Sequence, residues 1–459
     1  MNRSNGPRRL HGLPSSSNVN WSKYKTRKYI HFDERVKIEH LKANIQDPSW
    51  VASYAFLPSI HFELILKKYI TVKKADNSKV KKKEKKIRGI YYAAHKDSFI
   101  YKYYGDLLNN AYNEYASLTG IDAIAVAYRN NKQGKNNIDF AFEVFDFLLK
   151  QDEAIVIALD FKSFFDKIDH KSLKQKMKRV LCVEELPKDW YKIYKNITRY
   201  SYVEKSDIDE FLLDKYGKKR FKKVRSSLAK IMEPAEFREF KKGRLHVNLD
   251  DYGIPQGSGM SAVCSNVHLI DFDKEVLEWA KQKHEEALYK RYCDDLIIII
   301  PVVNATVELL EDLKNELMDH IEKYRSEGLI IQEKKTELRI YKDKTIYNEK
   351  LRISSLDYLG FVVNKNIIRI REKSLFKYYS RAYKKAKISK RIEKATNRPG
   401  PKRKLYDLYT HLGHKYLNYG NFIAYAKKAH KLMRKLPCES HIKKQIKRHW
   451  RKIHKRLGD

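Results

Sequence analysis

Ala154-Ile-Val-Ile-Ala-Leu159 runs without a polar residue into Asp160, and far downstream Tyr289-Lys-Arg-Tyr-Cys-Asp-Asp295 leads into Leu296-Ile-Ile-Ile-Ile300. The first stretch is a short, continuous apolar run, the pattern of a strand buried on both faces, with Asp160 where the strand ends. The second reads as two strand-like runs around a tight acidic turn, a β-hairpin over about 287–300 with Asp294 and Asp295 at its tip. An Asp-Asp pair by itself is weak, because most such pairs lie in solvated turns. If the two strand systems are neighbours in one sheet, however, Asp160, Asp294 and Asp295 meet at rigid strand ends. Phosphoryl transfer from a nucleotide needs such a carboxylate set, holding two Mg²⁺ ions roughly 3.5–4 Å apart.

Outward from these strands, Asn136-Asn137 precedes a helical stripe of Ile138, Ala141, Phe145 and Leu148, which predicts a capped helix packed on a sheet. Residues 1–28, rich in Asn, Ser, Pro, Gly and Arg, have the composition of a flexible basic arm. The charge run Lys79–Arg88 between two more apolar segments predicts a basic hairpin or loop. Residues 203–247 are charged and partly helical in pattern. After Phe361 only Glu372, Glu393, Asp407, Glu439 and Asp459 are acidic among many Lys and Arg, with Tyr, Leu and Ile at helical intervals. Basic helices suited to gripping a duplex are expected there, and the scarcity of carboxylates argues against a fused ribonuclease H or integrase domain, each of which needs its own metal cluster.

The whole chain narrows the function classes. Its 459 residues, 42% hydrophobic and 12% aromatic, suit two or three packed lobes. A formal charge of +39, from 96 Lys and Arg against 57 Asp and Glu, calls for a polyanionic partner, and nucleic acid is the obvious one. A membrane-surface protein would need an amphipathic apolar anchor, and none stands out. Cys182, Cys264, Cys293 and Cys438 form no CxxC pair, so neither a zinc knuckle nor a disulfide framework is indicated, and a reducing cytoplasm is the natural home. The N-terminus has no hydrophobic signal core, and no apolar run is long enough to span a bilayer.

Between the two acidic sites lies Gly253-Ile-Pro-Gln-Gly-Ser-Gly259, and with it the pattern becomes specific. IALDFKSFFDKIDH at 157–170, GIPQGSGMSAVCSNVHL at 253–269, RYCDDL at 291–296, GLIIQEKKTEL around Lys335-Thr336 and LDYLGF ending at Phe361 resemble, in order, the palm signatures of reverse transcriptases. The resemblance covers roughly residues 80–365. It implies an α+β right-hand polymerase: fingers at 29–150, a palm with an antiparallel sheet plus helices at 151–365, and a short basic helical thumb at 366–459. The stretch 203–247 would then be an insertion in the palm.

By the same resemblance, Asp160, Asp294 and Asp295 bind two Mg²⁺ ions, replaceable by Mn²⁺, together with Phe161. Lys335 protonates the leaving pyrophosphate, although the neighbouring Lys334 leaves that register open. Lys86 and Arg88 clamp the triphosphate, a role that two long cations suit; as a plain charge run they read equally as a solvated face. Phe165 favours deoxynucleotides by colliding with a ribose 2′-hydroxyl, while by residue type alone Phe164 and Phe165 both fit a core. Gln256 and Gly257 lie against template and incoming base, glycine permitting close backbone approach. Tyr292, Cys293, Leu359 and Gly360 flank the primer end, with Cys293 read as a packing residue.

Arg88-Gly-Ile-Tyr-Tyr-Ala-Ala-His95, Ala127-Tyr128-Arg129 and Gly134–Ala141 are similar to the abortive-infection and defence-associated reverse transcriptases of bacteria. That likeness implies antiphage activity, a structured non-coding RNA as template or scaffold, deoxynucleotide substrates, a primer hydroxyl from nucleic acid or protein, and an oligomeric state left open. A retron or group II intron-derived enzyme, a viral-type RNA polymerase and a catalytically idle RNA-binding scaffold stand as alternatives.

Overall fold

The computed structural model describes residues 13–14, 19–73 and 79–458. Most of the arm expected at 1–28, and the side chains of 67–84 and of Lys334, lie outside that description. Among the described residues, three sheets and the helices around them make up a mixed fold.

The central sheet has the order β6-β7-β3-β8-β9, every neighbour antiparallel. Its strands are β3 (Ala154–Asp160), β6 (Leu288–Tyr292), β7 (Asp295–Pro301), β8 (Glu337–Lys342) and β9 (Thr345–Tyr347). The unbroken apolar runs have a direct cause. Alternate residues of β3 and β7 feed two different cores: Ile155, Ile157, Leu159, Leu296, Ile298 and Ile300 on one face, and Ala154, Val156, Ile297 and Ile299 on the other. Each large side chain so buried contributes about 1.5–3 kcal/mol. The second face is covered by the helix Asn137–Leu149, whose Ile138, Ala141, Phe145 and Leu148 are all buried. Its start is fixed by a capping box between Asn136 and Asp139. The first face carries the helices His95–Leu118, His170–Leu181, Gly259–His268 and Ile270–Lys283.

A second sheet has the order β2-β1-β4-β5. The hairpin of β1 (Ser59–Lys73) and β2 (Lys79–Tyr92) contains the basic run. Parallel to β1 lies β4 (Ser201–Glu204), and β5 (His246–Val247) is antiparallel to β4. The segment read as a palm insertion at 203–247 thus joins the sheet of residues 59–92. Its helices Lys205–Ser227 and Pro234–Phe240 share a core with Ile30, Phe32 and Ile60 through Ile208, Leu212 and Phe240.

The third sheet, β10-β11-β12-β13, consists of β10 (Leu356–Tyr358), β11 (Phe361–Asn364), β12 (Ile367–Ile370) and β13 (Glu439–Ser440). The region after Phe361 therefore opens with a β-hairpin, and a boundary at 365/366 falls in its turn. Basic helices follow, the longest being Glu372–Thr396, and β13 returns beside β12. Among the described residues no helix is long and apolar enough to cross a membrane.

Candidate active site

Strand register assembles the acidic cluster. On β3 and β7, Asp160 lies directly opposite Asp295, and Tyr292 of β6 also pairs with Asp295. Cys293 and Asp294 are left as a two-residue turn, and the Phe161 amide donates to the Asp294 carbonyl at 3.4 Å. Cys293 is buried and left-handed, with φ 62°, a conformation that costs a non-glycine residue of order 1–3 kcal/mol unless its surroundings impose it.

Arg291 imposes it. The wholly buried guanidinium donates from Nε and Nη2 to the two oxygens of Asp273 at 2.8 and 2.6 Å, and from Nη1 to the Cys293 carbonyl at 3.0 Å and Asn266 Oδ1 at 3.1 Å. The Tyr289 hydroxyl donates to Asp273 at 2.8 Å. Sequence reasoning assigned no role to Arg291 or Asp273. The available signal was an arginine at an alternating position between Tyr289 and Cys293, on the face of β6 that is buried.

At the tip, Lys335 forms an ion pair with Asp160 Oδ2, while Asp160 Oδ1 is buried without a hydrogen-bond partner. The backbone supports this approach, because the Gln332 amide donates to the Asp160 carbonyl at 2.8 Å and the Lys335 amide to the Gln332 carbonyl at 2.8 Å. Asp295 is exposed by surface area yet closely surrounded. Desolvation, then the charges of Asp294 and Asp160, push its carboxyl up to about 6, with Lys335 and Arg371 pulling the other way. Phe161 contributes only its backbone here, because its ring is buried and stacked on Phe164 at 5.5 Å.

The loop Gly253–Gly259 is wedged between the residues after β3 and the outer edge of β2. Ile254 N donates to the Phe165 carbonyl at 2.9 Å, and Gly253 N to the Ile168 carbonyl at 2.8 Å. On the other side, Tyr91 N donates to the Gln256 carbonyl at 3.0 Å. Gly257 has φ 120°, and a Cβ there would come within 2.4 Å of the Tyr91 carbonyl oxygen. The half-buried Phe165 meets Phe164 edge-on at 5.5 Å. Lys86 and Arg88 alternate with Ile90 on one face of β2, and Ile90 Cγ2 lies beside Gly257. Leu359 and Gly360, φ 46° and 92°, form the two-residue turn between β10 and β11. The Leu359 carbonyl accepts from Asn137 Nδ2 at 3.1 Å. Two tyrosines complete the surroundings. Burial, then Asp295 and Tyr292, raise the Tyr358 phenol; burial, then Cys293, Tyr292 and Asp294, raise that of Tyr128. Tyr128, half-exposed and left-handed at φ 59°, therefore flanks the acidic turn, a position its motif did not disclose.

No protein-family model matches this sequence, and no curated protein matches it. Solved structures do. Apo telomerase from Candida tropicalis is 12% identical, with a TM-score of 0.40, over 94% of this chain and 67% of that one. The same protein truncated from its C-terminal domain is 13% identical, with a TM-score of 0.38, over 71% of this chain and 59% of that one. Telomerase from Candida albicans in complex with a TWJ fragment of telomeric RNA is 11% identical, with a TM-score of 0.38, over 95% and 72%. At TM-scores of 0.40 and below nothing further follows from these likenesses.

The chemistry of the cluster follows from its donors. Hard carboxylate oxygens at strand ends, one of them buried and unpartnered, suit a hard divalent cation. Among the described residues no group of three or more His, Cys, Asp or Glu side chains is arranged to hold a metal ion. Instead the Lys335 ammonium neutralises Asp160, so an ion entering the cluster would compete with it.

Proposed function

We propose that this chain is a nucleotidyl-transferring polymerase of the reverse-transcriptase type, copying an RNA template into DNA. The observation that carries the proposal is the register that sets Asp160 opposite Asp295 beside the Asp294 turn. The ordered motifs from 157 to 361 support it. Mg²⁺, or Mn²⁺ in its place, would be held by Asp160, Asp294 and Asp295 with the backbone of Phe161, supplying charge neutralisation for an in-line displacement at phosphorus. The protein's own part is positioning. Arg291 and Asp273 hold the turn that presents Asp294. Lys335 has its ammonium within reach of Asp160 and would deliver a proton to the departing pyrophosphate. Phe165, braced by Phe164 and fastened through its carbonyl to Ile254, would exclude a 2′-hydroxyl. Gln256 and Gly257 would support the template and incoming base, Lys86 and Arg88 the triphosphate, and Tyr292, Cys293, Leu359 and Gly360 the primer end.

The finer reading is bacterial antiphage defence with a structured non-coding RNA partner in the cytoplasm, supported by the resemblance of the segments at 88–95 and 127–141. The deciding experiment purifies the protein with its nucleic acid, sequences the RNA, and supplies labelled deoxynucleotides with Mg²⁺ beside an Asp294→Ala/Asp295→Ala control. DNA complementary to the RNA only with the intact aspartates is the expected result. No incorporation with any metal or primer would sink the enzyme and favour the RNA-binding scaffold. A retron or intron RNA among the sequences would select that alternative. Preference for ribonucleotides, read together with the response to Phe165→Ala or Phe165→Val, would select an RNA polymerase.

A further inference from the structure

The β2-β1-β4-β5 sheet has two unlike faces. Ile60 and Val203 point into the core with Ile208, Leu212 and Phe240 and are wholly buried. A sheet with one face buried and the other toward solvent normally presents polar side chains on the second. Here the other face presents rings: His61 on β1, Tyr91 on β2, Tyr200 and Tyr202 at and in β4, and His246 on β5. His61 lies 4.6 Å from Tyr91 and 5.4 Å from Tyr202 between centroids, Tyr91 lies 5.1 Å from Tyr200, and Tyr202 is stacked on His246 at 5.1 Å. Gly89 leaves room for the His61 ring, since a Cβ at that position would come within 2.8 Å of His61 Nε2. The four inner rings are partly buried, His61 with its Nδ1 2.7 Å from Glu204 Oε1, and His246 is exposed, so the face is partly open to solvent and not a second core.

We infer that this face is a stacking platform for unpaired bases of bound nucleic acid, made by residues 200–247 joining the β1–β2 hairpin. Three observations select that occupant. Rings offer a π-face to any base, which is how sequence-tolerant single-strand binding is built. The chain carries +39 charges and needs a polyanion. The platform is also continuous with the candidate active site, because the backbone of Tyr91 carries the Gln256–Gly257 loop. Its placement beside a template path rests on the polymerase proposal, whereas base stacking there does not.

The test is binding without catalysis, in the absence of metal and nucleotide, on the full chain freed of nucleic acid. The probe is a fluorescein-labelled oligouridylate of about 12 nucleotides, followed by anisotropy, with an RNA duplex of equal length as reference. Tyr200→Ala/Tyr202→Ala is expected to weaken the single strand by about tenfold or more, and the duplex by less than about twofold. Tyr200→Phe/Tyr202→Phe, which keeps the rings, should bind as the unaltered protein does. Equal binding by the alanine pair at an unchanged melting temperature overturns the platform. Should that pair fail to fold, 4-thiouridine crosslinking of the unaltered protein decides instead. Adducts on the peptides holding Tyr91, Tyr200, Tyr202 or His246 support it, and adducts only elsewhere, as expected if a protein partner covers this face, overturn it. A polymerase that fails to incorporate deoxynucleotides yet passes this test loses the enzymatic reading and keeps the platform.

Discussion

At the scale of single residues, the site is a balance of charges held against their own repulsion. Arg291 and Asp273 are both wholly buried and satisfied by each other, Tyr289, Asn266 and the Cys293 carbonyl. Breaking one half of such a pair leaves an uncompensated charge, so Arg291→Met should cost about 3–5 kcal/mol in urea unfolding. Arg291→Lys should recover little, because an ammonium cannot span Asp273 and the turn together. Asp295 behaves in the opposite sense. Its carboxyl is raised to about 6 from an ordinary 3.8, so the folded state holds its proton more tightly than the unfolded chain does. The stability this lends is present below about pH 4 and lost as pH rises through about 6. Asp295→Asn should therefore raise the melting temperature at pH 7.5 and change it little at pH 4. Mn²⁺ should raise the melting temperature of the unaltered protein at pH 7.5 and that of the variant much less.

At the scale of elements, the fold shows which contacts are local and which are not. The helix at 137–149 and strand β3 follow from periodicity, capping residues and the length of an apolar run. The second sheet does not: β4 is four residues long and pairs in parallel with a strand far away in the chain. No short-range pattern announces such a pairing. The same limit applies to the Gln256–Gly257 loop, whose glycine is explained only by the Tyr91 carbonyl against it. Gly257→Ala combines an unfavourable φ with that clash and should move the loop off β2. The expected outcome is a rise of about tenfold or more in KM for deoxynucleotides, with a melting temperature close to that of the unaltered protein, read from steady-state incorporation and a thermal scan.

At the scale of the whole molecule, charge dominates association. With +39 to neutralise, RNA binding should fall steeply with salt, the logarithm of affinity dropping by roughly 0.7 per phosphate contact for each tenfold rise in salt. Titrations at 50 and 200 mM salt measure the slope, and a nearly flat response would mean that the positive charge is not spent on phosphates.

Legible in the residues alone were local features: the buried strand ending in Asp160, the acidic hairpin, whose turn holds Asp294 while Asp295 already begins the second strand, the capped helix over the sheet, and the excess of positive charge. Apolar run length, turn chemistry and periodicity are properties of neighbouring residues, so they can be read without knowing what lies across the fold. Tertiary structure decided which strand ends face one another, that residues 201–247 extend the β1–β2 sheet, that β13 returns beside β12, and that Arg291 is the support beneath the acidic turn. Each of these joins groups distant in the chain, and each depends on a charge, a ring or a backbone edge being satisfied by a partner that only folding brings to it.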